Sequence, residues 1–567
     1  MPPHIRRLSC LQTLQFFNVG DKEGCRIEEL GHLKNLKGKI EIRNLQLVNN
    51  EEEAKKANLD EKTNIIELKF CWRKTNEGNT NDESVSESDT SNKKVFESNI
   101  HDESVLKGLQ PHPNLRSIWI EGFRGKNFPL WTMTMLKLDK LIEIELINCY
   151  NCEEIPMLGH LPLLKYLKLV GFTNVRSIGL SFYGASDCNS TSRKDDQETR
   201  VSFPSLKSLI IVEMLNLTEW AEVQTSGVQV FPCLEILKIE KCFKLTTAPS
   251  HFPCLKELDI DTMDSDLPLS NIISSSNLTS LVKLWIGRVS ELTCLVDDLF
   301  YKNQNLAYLY LLNCNKLAYI PHLLGCRVSL KELWIKDSDE LRELPDGLGS
   351  LESLEELEID GCKNLQLIPY PSGQKGLSSL RRLKISNCKR LSNLPSEMLE
   401  SCTSLQSLEV YNCENLTSFP ELSGMVWLNS LRELSIGGFS NSDTLEGIWR
   451  HIKSVQILSL YGRADWVSLP YQLENLTFLK KLQIFNFGIE ELPDWLGNLS
   501  SLENLILERC EKLRHLPSKE AMQRLTKLTI LDIWKCPLLE EQCRRDNSEW
   551  PKISHIPLVW INFERIL

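Results

Sequence analysis

Residues 380–395 read LRRLKISNCKRLSNLP, residues 405–420 read LQSLEVYNCENLTSFP, and residues 502–517 read LENLILERCEKLRHLP. In each stretch Leu-x-x-Leu-x-Leu-x-x-Cys is followed by a proline fifteen residues after the first leucine: Leu380 to Pro395, Leu405 to Pro420, Leu502 to Pro517. The frame starts at positions 306, 330, 354, 380, 405, 431, 455, 479, 502 and 528, in steps of 23 to 26 residues. A period within roughly 20–29 residues is that of a leucine-rich repeat. Its Leu-x-Leu core alternates with period two, so each repeat contributes one short strand. Successive strands then stack in parallel, and the proline-bearing returns, such as Leu344-Pro345 and Leu492-Pro493, run outside as turns or short helices. The fold class is therefore α/β: a leucine-rich repeat solenoid (horseshoe) with a concave parallel β-sheet and an irregular or short-helical convex side.

Toward the N-terminus the same unit starts at positions 11, 65, 115, 141, 164, 206, 234, 255 and 281, with a degenerate copy around Ile40 and Ile42. This gives about twenty coils in one leucine-rich repeat domain over residues 1–567, where each coil packs on its neighbours. Coils are irregular over 1–300 and regular over 301–540. The helix-forming stretch NNEEEAKKANLDEK predicts a helix over 49–62. Polar segments at 74–104 and 184–200 predict disordered insertions. Residues 541–567 predict a C-terminal cap, with Trp550, Ile553, Ile556, Leu558, Trp560, Ile561 and Phe563 closing the last coil.

A net charge of −11 and a pI near 5.6 exclude the basic stripe of a nucleic-acid binder. The longest apolar runs are broken by lysines, and Met1-Pro-Pro-His4 lacks the apolar core of a secretory signal. A cytoplasmic binding protein without a membrane span is expected. Of nineteen cysteines, eight occupy one repeat position: Cys149, Cys242, Cys314, Cys362, Cys388, Cys413, Cys510 and Cys536. There the chain leaves the strand, and a small weak donor can satisfy a carbonyl inside the coil. These form a buried, reduced structural ladder. Cys149-Tyr-Asn-Cys152 resembles a redox or zinc half-site, but the repeat already explains Cys149 and no matching second pair lies nearby. A structural role is therefore favoured over a metal.

No Gly-x-Ser-x-Gly elbow or His-Glu-x-x-His occurs, so neither catalytic nor metal residues are expected. Asp259, Asp261, Asp264 and Asp266 lack the glycine and terminal glutamate of a calcium loop. Function should reside at the variable strand positions, whose side chains leave the coil. In-register stacking places Lys331, Glu355 and Arg381 in one column. Glu332, Glu356 and Arg382 form the next, and Trp334, Glu358, Lys384 and Glu409 a third, with Lys336 against Asp360. This block reads as a salt-bridge ladder or as a polar recognition surface. The aromatics Trp119, Trp285, Tyr308, Tyr310 and Trp334 are candidate protein contacts, because Trp and Tyr are enriched in binding hot spots. The candidate surface thus comprises these five with Lys336, Glu358, Arg382, Lys384 and Tyr411.

A family resemblance rests on ordered motifs. These are Leu11-Gln-Thr-Leu14, Glu29-Leu-Gly-His-Leu-Lys-Asn-Leu36, Glu53-Ala54 with Ala57-Asn58-Leu59, then Lys62 and Trp72. Next come Leu109-Gln-Pro-His-Pro-Asn-Leu115, Phe128-Pro129 with Trp131, and Cys149 to Pro156 leading into Leu158-Gly-His-Leu-Pro162. Phe203-Pro-Ser-Leu206 with Trp220, Cys536-Pro537, and Trp550-Pro-Lys-Ile553 with His555-Ile-Pro557 complete them. The series resembles the repeat region of plant intracellular disease-resistance proteins of the coiled-coil, nucleotide-binding, leucine-rich repeat class. The resemblance implies a sensor and regulatory region in innate-immunity signal transduction. It would bind a pathogen effector or a host guard-target protein and contact the nucleotide-binding domain of a parent receptor. The phosphate-binding loop of such a receptor does not occur in this sequence, since Gly38-Lys39 and Gly125-Lys126 lack its other residues. No cofactor is expected here, with ATP or ADP belonging to an upstream domain. Met1 falls inside a repeat pattern already under way, so a fragment, a truncated product or the repeat half of a larger receptor is expected. The rival reading is a stand-alone adaptor or decoy, such as a ubiquitin-ligase substrate-binding module.

Overall fold

A computed structural model describes residues 2–72, 91–135, 137–184, 200–223, 228–275, 278–323, 328–370, 376–417, 419–420, 424–441, 445, 448–449, 451–545 and 547–566. The chain divides into two compact units, Met1–Glu291 and Leu292–Leu567.

The first unit carries β1 (Phe16–Asn18), β2 (Gly38–Arg43), β3 (Ile65–Cys71), β4 (Ser117–Glu121), β5 (Glu143–Ile147), β6 (Tyr166–Val170) and β7 (Ser177–Ile178). It continues through β8 (Arg200–Ser202), β9 (Ser208–Val212), β10 (Glu219–Trp220), β11 (Val228–Val230), β12 (Ile236–Glu240), β13 (Glu257–Met263) and β14 (Lys283–Val289). Its sheet runs β1-β2-β3-β4-β5-β6-β9-β12-β13-β14, parallel throughout. The short pairs β7–β10 and β8–β11 lie outside that sheet.

The second unit stacks β15 (Tyr308–Leu312), β16 (Glu332–Lys336), β17 (Glu356–Asp360), β18 (Arg382–Ser386), β19 (Ser407–Tyr411) and β20 (Glu433–Gly437). After these come β21 (Ile457–Tyr461), β22 (Lys481–Phe485), β23 (Asn504–Glu508), β24 (Ile530–Trp534) and β25 (Leu558–Ile561), again parallel in chain order. An antiparallel β26 (Glu564–Arg565) folds back on β25. The parallel, one-strand-per-coil architecture matches the expected solenoid class.

Register follows side-chain chemistry. Leu333, Leu357, Leu383, Leu408 and Leu434 lie side by side, as do Ile335, Ile359, Ile385, Val410 and Ile436. All ten are at most 1% exposed. Slipping one residue would turn every one of them outward. Each buried Leu or Ile contributes roughly 1.5–3 kcal/mol. Among the returns, Pro395, Pro470 and Pro493 directly precede short helical turns (Ser396–Ser401, Tyr471–Asn475, Asp494–Asn498), where a fixed φ starts the turn.

The cysteine ladder has a backbone cause. All eight thiols are fully buried, and each Sγ lies 3.3–3.8 Å from the carbonyl oxygen two residues earlier, as from Cys388 to Ser386 and Cys149 to Ile147. The residue before each cysteine has φ between 52° and 69°: Asn148, Lys241, Asn313, Gly361, Asn387, Asn412, Arg509 and Lys535. Asparagine and glycine tolerate that left-handed turn, hence the repeated Asn-Cys. The same left-handed turn precedes buried Phe172, Met214 and Phe487 in other coils, so the position requires burial and not a small side chain.

Several local expectations change. Instead of one helix over 49–62, a helix at Glu51–Lys55 is capped by the Asn50 side chain, and Asn58 (φ 48°) then breaks it before a single 3-10 turn at Leu59–Glu61. Of the expected insertion 74–104, residues 74–90 lie outside the described residues, and the rest belongs to a helix at Ser91–Gly108. Polar composition hid its partners. Buried Asp102 pairs with Arg124 at 2.9 Å, Ser104 accepts the Glu51 N–H, and Val105 and Leu106 are fully buried. Of 184–200, residues 185–199 lie outside the described residues, Gly184 ends a helical turn and Arg200 begins β8. At the C-terminal end Ile553, Ile556 and Val559 are buried, but Phe563 is 71% exposed and leans on Trp534 at 5.3 Å, because β25 continues the sheet instead of plugging it.

Candidate protein-binding faces of the repeat sheets

On the sheet of the second unit, the predicted columns are in register. Glu332, Glu356 and Arg382 align, as do Trp334, Glu358, Lys384 and Glu409, and Lys336 faces Asp360. Lys331, Glu355 and Arg381 are joined by successive backbone bonds of 2.8 Å. The charges close on one another. Lys384 Nζ lies 2.6 Å from Glu358 and 3.1 Å from Asp360, Lys336 Nζ lies 2.9 Å from Glu358, and Arg382 lies 2.9 Å from Glu409. Asp360 also accepts hydrogen bonds from Ser386 and Asn387 at 2.8 and 2.7 Å. Burial pushes the Glu358 carboxyl up, but the hydrogen bonds from Lys384 and Lys336 outweigh it and hold the group below its ordinary range. At Asp360 burial is likewise overcome, by Asn387, Ser386 and then Lys384. The two Glu358 and Lys384 side chains are only 11% and 13% exposed, so this is a partly desolvated network rather than a loose surface pair.

The aromatics fall into two kinds. Tyr310 and Trp334 meet edge to face at 4.8 Å, Tyr310 donates to Glu332 at 2.6 Å, and Lys336 Nζ sits 4.5 Å from the Trp334 ring. Coil-to-coil packing therefore absorbs Tyr310 and Trp334, while Tyr308 is half-buried one column away. Tyr411 belongs to a group the sequence reading missed. Its ring stacks on Tyr461 at 4.1 Å, and Tyr461 stacks on Phe485 at 4.7 Å, with ring planes within 13° of parallel. Tyr411 and Tyr461 are two strands apart, because Gly437 of β20 stands between them and leaves the gap that the rings fill. Reading the last strand position across repeats (Tyr411, Gly437, Tyr461, Phe485) would have revealed the group.

In the first unit Trp119 on β4 and Trp285 on β14 are both half-buried and separated by five strands, so they share no site. Lys39 Nζ lies 4.6 Å from the Trp119 ring. Trp285 is in register with Asp259, whose carboxylate pairs with Lys238 at 3.3 Å. Asp261 pairs with Arg288 at 2.7 Å, so these two acids of the Asp259–Asp266 cluster are held by bases. Between the two tryptophans lies a second group absent from the sequence prediction. Ile147, Val170 and Val212 align at the last outward position, with Ile210 and Ile236 on the adjoining columns. None of these five is buried, and Ile236 is 37% exposed.

Other motif residues are structural. Trp72 and Trp220 are buried, Trp131 donates to the Leu106 carbonyl at 2.9 Å, and Lys62 donates to the carbonyls of Leu30 and Leu33 at 2.9 and 3.1 Å. Burial lowers the Lys62 pKa to about 8. Among the described residues no helix is long and apolar enough to cross a membrane.

Residues 27–172 and 452–535 match the family model described as R13L1/DRL21 LRRs. Putative disease resistance protein RGA4 of Solanum bulbocastanum is 35% identical over 307 residues, covering 54% of this chain and 27% of that protein. Disease resistance protein RGA2 of the same species is 32% identical, over 55% of this chain and 27% of that one. Putative disease resistance RPP13-like protein 1 of Arabidopsis thaliana is 29% identical, over 62% and 30%. The match spans less than a third of each of these relatives. A solved leucine-rich repeat protein of Leptospira interrogans aligns with 75% of this chain and 85% of its own at 17% identity and a TM-score of 0.33. The chain has the leucine-rich repeat fold, its segments 27–172 and 452–535 match the R13L1/DRL21 repeat model, and it is similar in sequence to plant disease-resistance proteins.

Proposed function

We propose that this chain is the sensor region of a plant intracellular immune receptor, acting in the cytoplasm as a non-catalytic binding surface. It recognises a pathogen effector, or a host protein altered by one, through the outward side chains of its parallel sheets. The observation that carries this reading is the set of unburied hydrocarbon side chains on the sheet face: Ile147, Val170, Ile210, Val212 and Ile236 in the first unit. A contiguous apolar group of this kind marks a protein contact more than a stability element. The Tyr411–Tyr461–Phe485 stack supplies a second anchor of the aromatic type favoured in hot spots. Of the residues predicted from sequence, Trp119, Trp285 and Tyr308 remain candidate contacts, whereas Lys336, Glu358, Arg382 and Lys384 serve the fold. In a parent receptor the repeats also restrain the nucleotide-binding domain, and the ligand releases it by its differential affinity for the open state.

The test expresses the chain with each effector of a pathogen library and looks for complexes by gel filtration. A captured effector should lose its complex on Val170→Glu with Ile210→Glu and keep it on Lys336→Ala. Undiminished binding by the double variant removes this face from the site.

A further inference from the structure

The segments Phe231-Pro-Cys-Leu234 and Phe252-Pro-Cys-Leu255 are the same tetrapeptide in adjacent coils. Both ends of the two tetrapeptides are locked in register. Phe231 and Phe252 are fully buried and stack at 5.7 Å with planes 20° apart. Just beyond the leucines, the Lys256 and Glu257 N–H groups both donate to the Glu235 carbonyl, and β12 runs beside β13 from Ile236 opposite Glu257. Each tetrapeptide closes the same turn, with Leu234 and Leu255 donating to the carbonyls of Phe231 and Phe252 at 3.3 Å. Cys233 and Cys254 therefore occupy one position of neighbouring coils, and both are exposed. Parallel neighbours stand about 4.8 Å apart, inside the roughly 4.4–6.8 Å that a disulfide spans between Cα atoms. The preceding coil has Ser205 at this place, in Phe203-Pro-Ser-Leu206, so the thiols form a pair and not a longer row.

This pair differs from the eight ladder cysteines, which are buried and turned to carbonyls inside the coil. Close by in the chain, Lys207 and Lys256 share one acid, both reaching Glu235 at 2.9 Å. We propose that Cys233 and Cys254 are a redox-sensitive dithiol that an anionic low-molecular-weight disulfide, such as oxidised glutathione, converts to a disulfide stapling two coils. The Cys233 thiolate attacks one sulfur of the small disulfide, whose other half leaves as a thiolate and takes up a proton. The Cys254 thiolate then attacks the Cys233 sulfur and expels the second small thiol. Two protein thiols are oxidised by two electrons, and one small disulfide is reduced to two thiols.

Mass spectrometry of the whole chain treated with oxidised glutathione, alkylated and cut with trypsin tests this. Cys233 is the sole cysteine of peptide 208–238, and Cys254 of peptide 245–256. The expected product is a disulfide joining these two peptides, reversed by dithiothreitol. Cys254→Ser should instead leave a stable glutathione adduct on Cys233. Recovery of both wild-type thiols as separate adducts, as free thiols, or paired with other cysteines would overturn the proposal. So would the absence of any adduct on Cys233 in Cys254→Ser.

Discussion

The sheet face over β16–β18 and the face over β5–β12 are built by the same backbone rule, yet the first is charged in every column while the second sets a hydrocarbon column beside its ion pairs. In the first, Lys336, Glu358, Lys384 and Asp360 bind each other at 2.6–3.1 Å. In the second, Ile147, Val170 and Val212 stand in register as an unbroken hydrocarbon column, beside a column in which Ile210 lies between Lys168 and Lys238. A column of complementary charges satisfies itself, whereas a column of hydrocarbon can be satisfied only by covering it. Charge on a repeat face is thus weak evidence for a ligand, and unburied hydrocarbon is better evidence.

Gly437→Ala should have the largest effect on the fold. Gly437 has a φ of 126°, and a Cβ added there would lie only 2.0 Å from the Tyr461 carbonyl oxygen. The expected loss is about 2–3 kcal/mol in urea unfolding, with the Tyr411–Tyr461 stack disturbed. Lys384→Ala leaves Glu358 and Asp360 short of a shared partner and should cost about 1–3 kcal/mol in the same assay. Acid should act on the same block. Glu358 and Asp360 titrate below their ordinary values in the fold, so their stabilisation is complete above the unfolded values near pH 4 and is lost as pH falls through the folded ones. Unfolding followed from pH 6 to pH 2 should show that loss, and Glu358→Gln should flatten it. Val170→Ser, on the hydrocarbon face, should change stability by less than about 0.5 kcal/mol.

Strand placement and column register were legible in the sequence, because a period-two Leu-x-Leu core leaves one register that buries every leucine. The cysteine ladder was legible for the same reason, although its cause, a left-handed residue such as Asn387 before Cys388, emerged only from the backbone. The Ser91–Gly108 helix was hidden because its stability comes from distant partners of Asp102 and Ser104, which no local composition reveals. The candidate faces were half legible. Aromatics were sought at the middle strand position, where Tyr310 and Trp334 turn out to pack on each other. The Tyr411–Tyr461–Phe485 group and the Ile147–Val170–Val212 column use the last outward position, and the glycine gap at Gly437 has meaning only once strands lie side by side.

The division between a self-satisfied charged face and an open hydrocarbon face is tested most directly by a double-mutant cycle on Glu358 and Lys384. Urea unfolding of Glu358→Gln, Lys384→Met and the double variant gives the coupling between the two groups. A coupling above about 1 kcal/mol, beyond that of exposed pairs, is the expectation. A coupling near zero would show the charges to be free surface groups available to a ligand, and would contradict it.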